Sequence, residues 1–438
     1  MRTINLFIPL HTLPFVQSYK TIDVENLLSA LRTKANVHIT WLVYKADKIE
    51  SSIQNKSDET ILDIHNYRNA VDVLQDVKPD LIYAAASWDL MDYSFSSAAK
   101  FLNIPVLGDF RSNPGIERSQ SALIKSSVTR FFENSTITDT SKNKKQFMRR
   151  GRFFMFKYFF LFKSLNGTNL NIFQSIQKCC LVLKLLLTNE SESNLYDSRF
   201  ANTIHWLESE SLVEPLIKSG FDKSSLIVTG NPMYDIAFKT IHQFQSLKKQ
   251  DKIRILLIPS TQYEHGYWSK KQRDFVVSET IKKIFENKNK LELTVKIHPS
   301  SAILADYESL IHPISPLIKI YQTGNFLDFL NNADVVISFW NGTAEAYTIL
   351  AKKPLIFCNF FDETVGVILE RGLAIECKEP SSLIESIDRA ILSNPATEEK
   401  YEKYVEEVIG KWDGKSSERI SDAILNLLEN SLPSTDHK

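Results

Sequence analysis

The sequence predicts an α/β protein of two doubly wound domains facing a cleft, each a parallel sheet with helices on both sides. Three observations lead there. At 438 residues the chain is too long for one ordinary domain and suits two. Its composition, 43% hydrophobic and 24% charged, suits a chain that buries a core. Short β-rich runs alternate with helical stretches, and that alternation restarts midway, as two parallel sheets with helical crossovers require.

The first half offers six strands, at residues 3–10, 37–44, 80–86, 104–107, 202–206 and 226–229. The second offers six more, at 253–258, 291–297, 317–321, 335–338, 355–358 and 373–376. The N-terminal run at residues 3–10 is short and is followed by no small-residue cleavage site, so it reads as a strand rather than a signal peptide. Residues 119–195 interrupt the first domain as a mostly helical insertion. The first domain is expected over 1–235, a largely polar linker over 235–251, and the second domain over 252–394. Charged amphipathic helices over 395–438 then cross back to cover the first domain.

No run reaches the roughly 20 apolar residues that span a bilayer. The four cysteines, Cys179, Cys180, Cys358 and Cys377, form no CxxC pair. That usage predicts a reducing, cytoplasmic setting without structural zinc. Charge is balanced at 52 basic against 52 acidic residues, but unevenly distributed. Residues 140–189 hold ten Lys or Arg and no Asp or Glu. There Arg149, Arg150 and Arg152 lead into Phe153, Phe154 and Phe156. Such a segment suits the inner face of an anionic membrane, with rings at the headgroup boundary and cations near phosphates. A core helix with a solvated basic lead-in is the plainer alternative. Nucleic acid ranks below both, since no nucleic-acid module surrounds the patch.

The stretch Ala333-Asp334-Val335-Val336-Ile337-Ser338-Phe339-Trp340-Asn341-Gly342-Thr343-Ala344-Glu345 reads as an apolar strand, a small polar turn and a helix. A helix N-terminus presents unpaired N–H groups and the positive dipole end, which suits phosphate oxygens. Ser338, Asn341, Gly342 and Thr343 would line that site, and Glu345 would reach ribose hydroxyls. Further segments at strand ends are Ile258-Pro259-Ser260-Thr261-Gln262, which places Thr261 with the donor group, and Lys296-Ile297-His298-Pro299, whose Lys296 and His298 would neutralise a diphosphate. Gly230-Asn231-Pro232 ends the last strand of the first half in the same way.

With these residues the second half resembles the nucleotide-sugar-binding half of GT-B enzymes, two Rossmann-like domains around a cleft. The order Ser338 to Glu345, Lys353-Pro354, then Asp362-Glu363-Thr364 is similar to UDP-N-acetylglucosamine 2-epimerases. Lys296 to Pro299, Gly230 to Pro232 and Asp413-Gly414-Lys415-Ser416-Ser417-Glu418-Arg419 resemble CDP-glycerol glycerophosphotransferases and capsule-polysaccharide transferases. The resemblance implies that Ser338, Asn341, Gly342 and Thr343 hold donor phosphates, Glu345 the ribose, and His298 the diphosphate. The first half departs from the epimerase pattern at Phe7 to Thr12, and the second departs at Ser260 to His265, where acid and base residues would stand.

On the acceptor side, Asp109, Arg111, Glu117 and Arg118 follow the fourth strand of the first half. Asp109 is the first candidate for the general base that removes an acceptor hydroxyl proton, with Glu117 and His11 behind it. Arg111 and Asp89 would shape the acceptor pocket, although helix capping suits Asp89 better. No DxD motif stands in a convincing strand-end setting and no His/Cys ligand cluster occurs, so no metal or cofactor is expected. The resulting expectation is a metal-independent glycosyltransferase. It moves sugar from a nucleoside-diphosphate sugar to a hydroxyl of an envelope polysaccharide or lipid-linked acceptor. Its alternatives are a 2-epimerase, a polyol-phosphate transferase, and a non-catalytic nucleotide-sugar-binding protein.

Overall fold

A computed structural model describes residues 2–9, 22–44, 57–84, 90–110, 140–188, 203–218, 221–244, 251–265, 267–287, 289–299, 302–340, 342–362 and 366–430, with backbone alone at 22–23, 109–110, 140–151, 182–188, 203, 265 and 430. Two parallel sheets organise it. The first joins β1 (Thr3–Pro9), β2 (Asn36–Val43), β3 (Glu59–Asp63), β4 (Leu81–Tyr83), β5 (Val106–Phe110), β6 (Thr203–Leu207) and β7 (Leu226–Val228), in the order β3-β2-β1-β4-β5-β6-β7. The second joins β8 (Ile253–Ile258), β9 (Leu291–Lys296), β10 (Lys319–Tyr321), β11 (Val335–Ser338), β12 (Leu355–Cys358) and β13 (Ile375–Cys377), in the order β10-β9-β8-β11-β12-β13.

Both central regions are covered on two faces, which is why their strands read as near-continuous apolar runs. All four residues of β11 and all four of β12 are buried. Period-two alternation divides them. Ile255 and Leu257 pack on one side of the second sheet with Val295 and Ile337, whereas Leu256 and Ile258 pack on the other with Val336 and Phe357.

Among the described residues the first sheet has seven strands, not the six its sequence predicts. The extra strand, β3, is an edge strand whose five residues are all only partly buried. Only Ile61 and Leu62 in it are apolar, too few for a hydrophobic-pattern signal. Its place is secured by polar contacts, since Glu59 accepts a 2.9 Å hydrogen bond from Trp41 Nε1 on β2.

The stretch predicted as linker begins as helix instead. Met233–Ile241 is α-helical, with Tyr234 and Ala237 inside the second core. Residues 245–250 lie outside the described residues. The helix is anchored in both directions. Asn26 Nδ2 donates to Pro232 O at 2.7 Å, and Tyr347 Oη donates to Met233 O at 3.3 Å.

The final helix, Ser416–Asn430, returns to the first sheet, where Ile420, Ile424 and Leu428 join Ile4, Leu6 and Leu27 in one core. Its N-terminus is held by Asp235, whose two carboxylate oxygens accept from the Ser416 and Ser417 amides at 3.0 and 2.7 Å. Thus the Gly230-Asn231-Pro232 and Asp413-to-Arg419 segments, far apart in sequence, meet. Arg419 pairs with Asp413 and donates to Thr229 O at 2.9 Å. Gly230 stands at φ +83°, where a Cβ would lie 2.5 Å from Ser416 Oγ. Gly410, at φ +76°, leaves still less room, for its Cβ would lie 1.9 Å from Glu208 O.

Candidate functional site at the switch point of the second sheet

Strand order in the second sheet reverses between β8 and β11, the position where open parallel sheets bind ligands beyond their carboxyl ends. The two strands pair from Val335↔Ile255 to Ser338↔Ile258, so the segments following Ile258 and Ser338 emerge side by side. Behind them, Asp334 fixes the register. Its carboxylate accepts from the Arg254 amide at 2.8 Å and from the Arg254 guanidinium at 2.9 and 2.7 Å. This pairing and Lys353 keep the Asp334 carboxyl below its ordinary range despite partial burial.

From that base, Ser338 ends β11 fully buried, and the Thr343–Leu350 helix starts after Gly342. Glu345 sits in the first turn, 4% exposed, and hydrogen-bonds Ser338. Ser338 Oγ also lies 3.1 Å from the Trp340 carbonyl. A Cβ on Gly342 would lie 3.0 Å from Glu345 Oε2, so the turn closes tightly over this carboxyl. Burial raises the Glu345 pKa to about 7, while Ser338 and the amides of Glu345 and Gly342 oppose the rise. Glu345 is thereby a carboxyl balanced between its two protonation states near neutrality.

Beside this pair, the end of β8 carries polar atoms without a hydrogen-bond partner among the described residues. Ser260 Oγ and Gln262 Oε1 are both buried, and Gln262 is itself 4% exposed. Buried polar groups are nearly always satisfied, so such atoms at a switch point are candidate ligand contacts. Sequence reasoning quoted Gln262 without assigning it to the site. Only its burial distinguishes it. Thr261 lies between the two, half-buried, and Thr343 is exposed at the helix start. Asn341 lies outside the described residues.

Two further predicted donor residues part company. His298 is exposed just beyond β9. Lys296 holds two backbone carbonyls rather than standing free at the strand end. It is 5% exposed and donates to Ile297 O and Gln322 O at 3.1 and 2.9 Å. Burial lowers its pKa. Its ammonium thus ties β9 to the segment after β10, a contact between residues 26 apart that no local motif reveals.

A second group lies around Tyr404, which the sequence did not single out. This phenol is fully buried and its hydroxyl has no hydrogen-bond partner among the described residues. Burial raises its pKa, the charges of Glu208 and Glu345 add to the rise, and Arg371 opposes it. Glu208 is 1% exposed just past β6 and accepts from Asn231 Nδ2 at 3.4 Å. Carboxylates from the two halves therefore approach the same buried phenol. Glu208 and Tyr404 stand 196 residues apart, so spacing carried no signal.

On the first-domain side, β5 extends to Phe110, which makes Asp109 its penultimate residue, paired with Trp206 on β6. His11, Asp89, Arg111 and Glu117 lie outside the described residues.

Within its described residues the basic aromatic insertion forms two helices, Thr140–Asn166 and Ile172–Thr188. Side chains of Arg149 and Arg150 lie outside the description, and Arg152 is exposed. Two of the rings predicted for membrane contact face inward. Phe153 and Phe156 pack against Tyr44 at centroid distances of 4.6 and 5.0 Å, and Phe156 also lies tilted against His65 at 5.1 Å. Helical spacing explains it, because Phe156 shares a face with Phe160, which is buried in the first-domain core. Phe154 remains exposed.

Among the described residues, no helix is long and apolar enough to cross a membrane, and no three His, Cys, Asp or Glu are grouped to hold a metal ion.

With this geometry established, comparison with known proteins identifies the fold. No protein-family model matches the chain, and no curated protein matches it. Solved structures do. A UDP-GlcNAc 2-epimerase from Neisseria meningitidis bound to UDP-GlcNAc is similar over 97% of this chain and 100% of its own, at 14% identity and TM-score 0.52. The wall teichoic acid polymerase TagF is similar over 98% of this chain and 90% of its own, at 12% identity and TM-score 0.54. The glycotransferase of kitacinnamycin is similar over 98% and 99%, at 11% identity and TM-score 0.52. The chain has the GT-B fold that these enzymes share, with a helical insertion in its first domain.

Proposed function

We propose that this protein is a glycosyltransferase that moves a sugar from a nucleoside-diphosphate sugar to a hydroxyl of a surface polysaccharide or lipid-linked acceptor. The observation that carries this reading is the buried Ser338–Glu345 pair at the β8/β11 switch point, beside Ser260 Oγ and Gln262 Oε1, which have no hydrogen-bond partner among the described residues. Support also comes from the GT-B neighbours, one of which holds UDP-GlcNAc.

In this mechanism the amides of Gly342 and Thr343, at the positive end of their helix, receive the donor phosphates. Asn341 and Thr261 line the same site. Glu345, in its carboxylate form, accepts from ribose hydroxyls. His298 faces the diphosphate and stabilises the negative charge that develops as the glycosidic C–O bond breaks. Asp109 takes the proton from the acceptor hydroxyl as its oxygen attacks the anomeric carbon, with Glu117 and His11 as the alternative bases. Arg111 and Asp89 position the acceptor. Leaving-group charge is met by the helix terminus and His298, so the reaction requires no metal or cofactor.

The test is thermal stabilisation by a panel of UDP-, CDP-, GDP- and dTDP-sugars and CDP-glycerol, followed by product analysis. Stabilisation by one nucleotide sugar, with transfer to an added acceptor and no isomerised sugar without it, is the expected result. Release of a 2-epimer would instead make the protein an isomerase. Stabilisation by CDP-glycerol alone would make it a polyol-phosphate transferase.

A further inference from the structure

Among the described residues, the two insertion helices pack against each other and onto the first domain through one side. Leu161, Leu165 and Cys179 form a small core with Leu90, and Phe160 enters the larger first-domain core. Their other sides are apolar as well as basic. On Thr140–Asn166, residues Arg152, Met155, Phe159 and Lys163 follow helical spacing along one exposed stripe, with Phe159 55% exposed between the two cations. On Ile172–Thr188, the exposed residues Ile172, Phe173, Ile176 and Cys180 form a second stripe, and Phe173 is 79% exposed. Large apolar side chains concentrated on one element mark an interaction surface.

Charge decides which partner fits. The ten basic residues between 140 and 189 have no acidic residue among them. Self-association of the insertions would bring two such segments together without counter-charge. The exposed set is aliphatic as well as aromatic, which suits insertion among acyl chains better than base stacking. We infer that the insertion hairpin docks on an anionic phospholipid surface, through the outward stripes of both helices. The inward rings Phe153 and Phe156 take no part. This inference does not depend on which donor the enzyme uses.

The experiment is co-sedimentation of the full chain with vesicles of phosphatidylcholine alone or with 30% phosphatidylglycerol, at low and high salt. Wild type is expected to bind the anionic vesicles about tenfold or more tightly, and to lose most of that preference at high salt. Phe159→Ser with Phe173→Ser should weaken binding about tenfold or more while leaving the thermal melt in place, because both rings are exposed. Phe153→Leu, an inward position, should lower the melting temperature and leave vesicle binding intact. The inference is overturned by any of four results. These are no anionic preference, binding unchanged in the double variant, tighter retention on a single-stranded oligonucleotide than on vesicles, or concentration-dependent dimers that the double variant abolishes.

Discussion

Replacing Glu345 by glutamine isolates the most distinctive electrostatic feature of the site. The carboxyl is buried, and its pKa rises from 4.5 to about 7. At 1.36 kcal/mol per unit, that rise corresponds to roughly 3 kcal/mol between the two protonation states. Because the folded pKa lies above the unfolded one, the stability linked to this group is fully present below about pH 4.5. It is lost as pH rises through 7, and most of the loss falls between pH 5 and 8. Glu345→Gln keeps the shape without the titration. Unfolding of wild type and variant at pH 5, 6, 7 and 8 should therefore diverge, with the variant gaining about 2 to 3 kcal/mol on wild type across that range. Ligand binding adds a second reading. If ribose hydroxyls donate to the carboxylate, nucleotide-sugar affinity rises with pH, about tenfold per unit, until it levels near 7. The variant should bind more weakly and without that slope. Parallel pH profiles in both measurements would refute the buried-carboxyl argument. Diverging stability with parallel binding would remove Glu345 from the ribose role alone.

Other substitutions test the frame around the site. Gly410→Ala places a methyl against the Glu208 carbonyl in a left-handed backbone, and should lower stability by about 3 kcal/mol or more, seen as lost soluble yield or a lowered Tm. Asp235→Ala removes the side-chain cap of the Ser416–Asn430 helix and should lower stability by about 1 to 2 kcal/mol in denaturant unfolding. Lys296→Met should change the melting temperature and leave nucleotide-sugar affinity unchanged, since its ammonium serves Ile297 and Gln322; a selective affinity loss in calorimetry would return Lys296 to the donor site. Extensive EDTA treatment should leave transferase turnover unaltered, and loss restored by a divalent ion would overturn the metal-independent mechanism.

Much of the fold was legible because its information is local. A parallel strand buried on both faces must be apolar along its length, so Val335–Ser338 and Leu355–Cys358 announce themselves. Likewise the strand, polar turn and helix around Ser338 to Glu345 could be read as a unit, and the structure places that unit at a switch point. Edge strand β3 escaped notice because it needs few apolar residues. The helix at Met233 was hidden by the polar run that follows it.

What remained illegible depends on partners distant in sequence. A basic residue at a strand end reads as a phosphate ligand until its neighbours are known; for Lys296 those are two carbonyls, one supplied by the segment after another strand. Phe153 and Phe154 are adjacent and chemically identical, yet helix rotation turns the first toward Tyr44 and the second outward. The sequence by itself determined most of the strands and helices of the two sheets, through periodicity and composition, with β3 and the helix at Met233 the exceptions. Only the tertiary structure decided that Gly230 meets Ser416, that Glu345 and Glu208 approach Tyr404, and which aromatic residues remain exposed. Those outcomes follow from packing among segments hundreds of residues apart, where each side chain's solvation and charge are set by its neighbours.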